Sequence, residues 1–145
     1  LVGTLTGQTD IAEKAVEEGD QPEELVEQLR AEIQTLRDAV RLAHEEGVTV
    51  LTGTDSGPPH SAQGNTGEEV AYLVEYGGFD PMEAIVAGTE TTAEAVGLSD
   101  VGTLEPGAVA DVVVLDGDPL ADPGLLADPG NVTSVLKAGT PVEAV

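Results

Sequence analysis

The chain has 145 residues, an ordinary single-domain length that can bury a hydrophobic core. Five Lys and Arg against 28 Asp and Glu leave a formal charge of −23, which repels phosphate backbones and anionic bilayers and so sets nucleic acid and membranes aside as partners. Cysteine is absent, which excludes disulfides and thiolate metal sites and leaves only oxygen or imidazole ligands for any metal.

Residues 1–19 show weak periodicity and read as a loop with a short helix around residues 11–18. The clearest element follows. Leu25, Leu29, Ile33, Leu36, Val40 and Ala43 recur at spacings of three and four, one apolar stripe on a core-facing helix. Asp20 and Glu23 fit a capping box, Pro22 suits the first turn, and Gly47 can end the helix. Residues 48–52 then form a short β-branched run expected to be a buried strand, and the chain breaks into Gly53-Thr54-Asp55-Ser56-Gly57-Pro58-Pro59. A helix feeding a strand that ends in a polar Gly/Asp loop is one unit of an α/β fold, where functional side chains collect beyond the C-terminal strand ends.

The loop continues through His60 to Asn65. Thr66 and Glu69 read as the capping box of a second helix whose apolar face is Val70, Leu73 and Val74, ending near Gly77 and Gly78. Asp80, Pro81 and Glu83 open a third helix over residues 82–87, and Thr89 or Thr91 caps a fourth that stops at Gly97. From Gly102 the texture becomes β-rich. A turn at residues 102–107 leads to a strand at 109–115 interrupted by Asp111, and a second turn follows at 116–119. A strand at 132–137 then leads through Ala138-Gly139, suited to a tight hairpin, into a third over 140–145. Ala-Asp-Pro-Gly occurs twice, at Ala121 and Ala127, as local turn chemistry.

Several of these tracts carry a resemblance. Residues 53–57 after a short strand resemble the strand-eight motif of amidohydrolases, particularly the imidazolonepropionase-like and prolidase-like branch. Ala84-Ile85, residues 89–95 and Gly97-Leu98 resemble the helical stretch that follows it. Residues 102–107, 110–115 and 116–120 look like that family's return to a small β-sandwich, and residues 132–142 resemble its last hairpin.

The fold this implies is α/β, the C-terminal fragment of a (β/α)₈ metallo-dependent hydrolase barrel. Residues 1–100 would hold its last strand and helices, and residues 101–145 part of the sandwich. The implied chemistry is metal-assisted hydrolysis of a C–N bond in an amide, cyclic amide or dipeptide. A divalent metal, zinc in the complete enzyme, activates water, and a carboxylate takes its proton. By resemblance Asp55 is that carboxylate, as metal ligand, general base or both, while Ser56, Gly57 and His60 face the small-molecule substrate.

The sequence also departs from the family. A barrel of this kind takes about 250 residues, the His-x-His pair of the first strand is absent, and only His44 and His60 are present. Lys14 and Lys137 fall where no bridging lysine belongs. The expectation is a chain inactive alone: a fragment, a truncated gene product, or one part of an assembly completed by an N-terminal complement or by further copies of itself. The reading from another class is a non-catalytic acidic interaction domain that pairs its strand edges with a partner.

Each candidate has a plainer explanation. Asp55 can bond its own backbone in a Gly-rich turn, His60 can be a solvated loop residue, and His44 can sit against the helix dipole. Ser56 lacks a nucleophile elbow. Asp111, Asp116 and Asp118 are explained by turns rather than by calcium, and Glu69 by a helix cap. No apolar run approaches the roughly 20 residues of a membrane span and no signal peptide is evident, so the expected location is cytoplasmic. Apolar content of 40% argues against disorder. An acidic surface of this density suits a halophilic, salt-screened interior.

Overall fold

In a computed structural model, residues 1–7, 9, 16, 22–57, 64 and 66–142 of the chain are described. The helical half runs β1 (Val2–Gly3), α1 (Glu23–Glu45), β2 (Leu51–Thr52), α2 (Thr66–Glu75), α3 (Pro81–Val86), a π-helical turn (Ala87–Thr91) and α4 (Thr92–Ala95). The β-rich half runs β3 (Val112–Leu115), two 3₁₀ turns (Pro123–Leu126 and Pro129–Asn131), β4 (Val132–Lys137) and β5 (Thr140–Pro141).

Helix α1 follows its apolar stripe. Ile33 and Val40 are buried, Leu36 and Ala43 pack against the core, and only Leu25 at the start of the stripe stays exposed. Its N-cap is Pro22, with no side-chain cap bond, and Asp20 lies outside the described residues, so the expected capping box finds no counterpart there. The C-terminus closes as a Schellman motif: Gly47 N–H donates to His44 O at 3.0 Å and Val48 N–H to Ala43 O at 2.8 Å. Arg37 lays its guanidinium over the Tyr76 ring at 3.5 Å, which ties α1 to the end of α2.

Residues 1–19 are not simply a loop. Val2 and Gly3 pair in parallel with Leu51 and Thr52, so α1 is the crossover of a β-α-β unit. Leu5, Thr6, Gly7 and Thr9 are helical, as is Val16; the rest of the expected helix at 11–18 lies outside the described residues. A two-residue strand is too short to show periodicity, and its partner lies across the whole of α1. For the same reason the strand expected at 48–52 shortens to Leu51–Thr52, the length β1 can pair, with Val50 buried just before it.

One core forms under these elements from Leu5, Val40, Val50, Val70, Leu73, Phe79, Ala84 and Ala87. Helix α2 buries Val70 and Leu73 as its pattern requires. Asp80 opens α3 with a complete capping box: Asp80 Oδ1 accepts from Glu83 N–H and Glu83 Oε2 from Asp80 N–H, both at 2.9 Å. The expected fourth helix with its own threonine cap is not separate. Residues 81–95 are continuous through the π-turn, and Thr89 Oγ1 donates back to Ile85 O at 2.7 Å instead of capping.

The β-rich half is an antiparallel sheet of order β3-β4-β5. Ala138 and Gly139 both take positive φ, the twist a two-residue hairpin needs. Asp111 accepts the Ala138 N–H at 2.7 Å. Asp118, Asp122 and Asp128 accept the N–H groups of Leu120, Gly124 and Gly130 at 2.8–3.0 Å, which is the turn chemistry expected of them. No helix among the described residues is long and apolar enough to cross a membrane.

The halves dock where α2 begins. Leu126 packs on the core, and a Cβ on Gly67 would lie 2.0 Å from the Leu126 carbonyl oxygen. The obstacle is backbone, so no rotamer change relieves it. Gly67→Ala is therefore expected to destabilise the protein by about 1–3 kcal/mol. Urea titration of both proteins checks this, and equal midpoints would show that the 3₁₀ turn yields freely.

Candidate functional site

The chain leaves β2 through Gly53, Thr54, Asp55, Ser56 and Gly57. A Cβ on Gly53 would stand 2.5 Å from Val2 Cγ1, so a side chain here would push the two strand ends apart. Asp55 turns the backbone with φ 47°, a left-handed conformation that Asp and Asn tolerate better than other side chains bearing a Cβ. Beside it Thr54 Oγ1 donates to Ser56 Oγ at 2.9 Å, and Gly57 is exposed with φ 125°.

Asp55 itself is exposed, and its carboxylate makes no hydrogen bond among the described residues. The plain turn explanation required such a bond to nearby backbone. What remains is a carboxylate held beyond the C-terminal end of a strand by a constrained backbone and directed to solvent. Because β1 runs parallel to β2, Thr4 leaves the same edge.

The other expected residues lie elsewhere. His44 sits in the last turn of α1, which feeds the N-terminal end of β2, and so stands at the opposite end of the strand from Asp55. It stacks on Phe79 with ring centroids 3.8 Å apart, and its Nε2 lies 3.6 Å from Glu83 Oε2. His60, Pro58, Pro59 and Lys14 lie outside the described residues. Lys137 is exposed at the end of β4.

Two polar devices flank the β2 end that sequence reasoning missed. Glu69 does not cap its own helix. Fully buried, it accepts the N–H groups of Leu5 at 3.2 Å and Thr6 at 2.8 Å, and the Thr6 hydroxyl at 2.8 Å. It thereby satisfies the first turn of the segment after β1. On the other side, Thr52 N–H donates to Thr92 Oγ1 at 3.3 Å. The Ser/Thr/Glu composition of these stretches carries no local sign of either contact, since the partners are remote in sequence.

As to a metal, an exposed carboxylate with free oxygens suits one ligand position of a divalent ion. No group of three His, Asp or Glu side chains that could hold a metal ion occurs among the described residues. Asp55 thus fits as one donor of a set.

Comparison with known proteins adds to this geometry. Residues 10–142 match the profile of the amidohydrolase family. Ochratoxinase of Aspergillus niger is 37% identical over 123 residues, 81% of this chain and 25% of that protein. Imidazolonepropionase of Deinococcus deserti is 35% identical over 98 residues, 68% of this chain and 25% of that protein. Among solved structures, the A. niger ochratoxinase superposes with a TM-score of 0.76 at 32% identity over 97% of this chain. A prolidase-like protein from Bifidobacterium longum does so with a TM-score of 0.84 at 31% identity over 98% of it. The chain spans 31% and 34% of those two structures respectively.

Proposed function

The chain belongs to the amidohydrolase family, and from that premise we propose that it is the closing part of a metal-dependent hydrolase acting on a C–N bond in an amide, cyclic amide or dipeptide. Its relatives are a mixed α/β superfamily of hydrolases. Residues 1–100 supply not one but two strands of a (β/α)₈ barrel, β2 as its last and β1 paired beside it, with their helices, and residues 101–145 supply part of a β-sandwich.

The observation that carries this reading is Asp55. Its carboxylate stands beyond the C-terminal end of β2, on the edge where parallel α/β folds place their chemistry, and is spent on no structural bond among the described residues. In this reading Asp55 would hold the metal as one ligand and would accept a proton from water, while Ser56, Gly57 and His60 would orient the substrate. The divalent metal, zinc in the complete enzyme, supplies Lewis-acid activation of water when bound. Similarity to ochratoxinase, imidazolonepropionase and prolidase-like proteins supports a small C–N substrate.

One carboxylate does not make a four-coordinate site. The chain alone is therefore expected to show no saturable Zn²⁺ binding when titrated calorimetrically in about 1 M salt, which screens its charge. Tight binding abolished by Asp55→Asn would instead mean that copies of the chain complete the site together. Tight binding that survives Asp55→Asn would remove Asp55 from the metal.

A further inference from the structure

We propose that Thr92 is a positioning residue for Asp55: delivered by the π-helical turn, its hydroxyl takes over the second edge of β2 and sets the direction in which the strand releases the Gly53–Gly57 turn. The importance of this for catalysis rests on the reading of Asp55 given above. The geometric claim does not.

Strand β2 is only Leu51–Thr52, and its pairing with β1 uses one edge, where Leu51 N–H meets Leu1 O at 2.8 Å. Thr52 N–H is left for the other edge, in a residue that is buried. An unsatisfied buried N–H there would free the strand end, one residue before the turn that carries Asp55. Thr92 Oγ1 meets that N–H at 3.3 Å and the Thr52 hydroxyl at 3.4 Å.

The proton positions follow from capacity. Thr92 has one hydroxyl proton, and it is committed to Ala87 O at 2.6 Å. Both contacts with Thr52 therefore fall on Thr92 lone pairs, so Thr52 is the donor in each. The Thr92 oxygen is thereby saturated, with one bond given and two received.

The π-turn is what brings Thr92 to this place. Ala84 in α3 and Ala87 at the start of the π-turn are buried against the core, and one regular helical turn beyond Ala87 would place Thr91 on that face. The extra residue of the π-turn substitutes Thr92, five residues after the carbonyl it bonds. Gly88 permits the close approach: a Cβ on it would lie 2.6 Å from Val70 Cγ2 and 3.4 Å from Thr52 Cγ2.

Amide hydrogen exchange of this 145-residue chain, read by NMR, tests the proposal. In the unaltered protein the Thr52 amide is expected to be protected comparably to the Leu51 amide; exchange at the unprotected rate overturns the proposal without any variant. Thr92→Val keeps the shape and removes the hydroxyl. It is expected to speed Thr52 exchange about tenfold or more and to shift the Gly53, Thr54 and Asp55 resonances, while Thr92→Ser restores both. A valine variant that leaves those resonances in place, or a serine variant no better than valine, overturns it. Asp55→Asn should leave Thr52 protection unchanged, so failure of the catalytic reading and failure of this one are told apart.

Discussion

In a chimera in which this chain replaces the matching 25% of the A. niger ochratoxinase relative, changing Asp55 to Asn is expected to lower kcat about 10²–10⁴-fold. Asn keeps the side-chain shape and tolerates the left-handed φ of 47° as well as Asp does, so the turn should survive. What disappears is the charge and the capacity to take a proton. Asp55→Ala would confuse the result, because an alanine in that conformation adds backbone strain. Circular dichroism of the two chimeras confirms equal folding, and steady-state hydrolysis measures the loss. An Asn variant with wild-type kcat would reduce Asp55 to a turn residue.

Glu69→Ala is expected to lower the free energy of unfolding by about 3 kcal/mol or more. It leaves the buried N–H groups of Leu5 and Thr6, and the Thr6 hydroxyl, without an acceptor, and each such group costs about 1–3 kcal/mol. The hydroxyl can turn toward another acceptor, which is why the sum stays near the lower end. Glu69→Gln should recover part of the loss, since one amide oxygen can still accept, while its NH₂ must then face a donor. Equilibrium denaturation with an unchanged slope and a lowered midpoint is the expected signature. A midpoint within error of wild type would mean that the segment after β1 contributes nothing to the cooperative unit.

These contacts mark where sequence reading succeeds and where it stops. The α1 stripe, the start of α3 at Asp80 and Pro81, and the Ala138–Gly139 hairpin were legible because each is settled by residues within a turn or two of one another. The Gly53–Gly57 tract was legible by resemblance, and its left-handed Asp55 agrees with a constrained turn. Strand β1 was not legible, because two residues carry no period and their partner lies beyond α1. Glu69 was misassigned for a related reason. Its spacing from Thr66 satisfies the local cap pattern, but the donors it serves lie more than sixty residues away. The π-turn was invisible because one inserted residue leaves apolar spacing nearly unchanged while rotating everything after it. Thr89 and Thr91 accordingly looked like caps, whereas Thr92 holds the contact.

The Glu69 clasp also bears on the order in which the molecule assembles. Its bonds to Leu5 and Thr6 join positions 64 and 63 residues apart, so the segment after β1 lacks these acceptors until α2 has formed. Closing so long a loop is slow compared with winding α1 or zipping the β4–β5 hairpin. The segment after β1 is thus the last of these pieces to find its place.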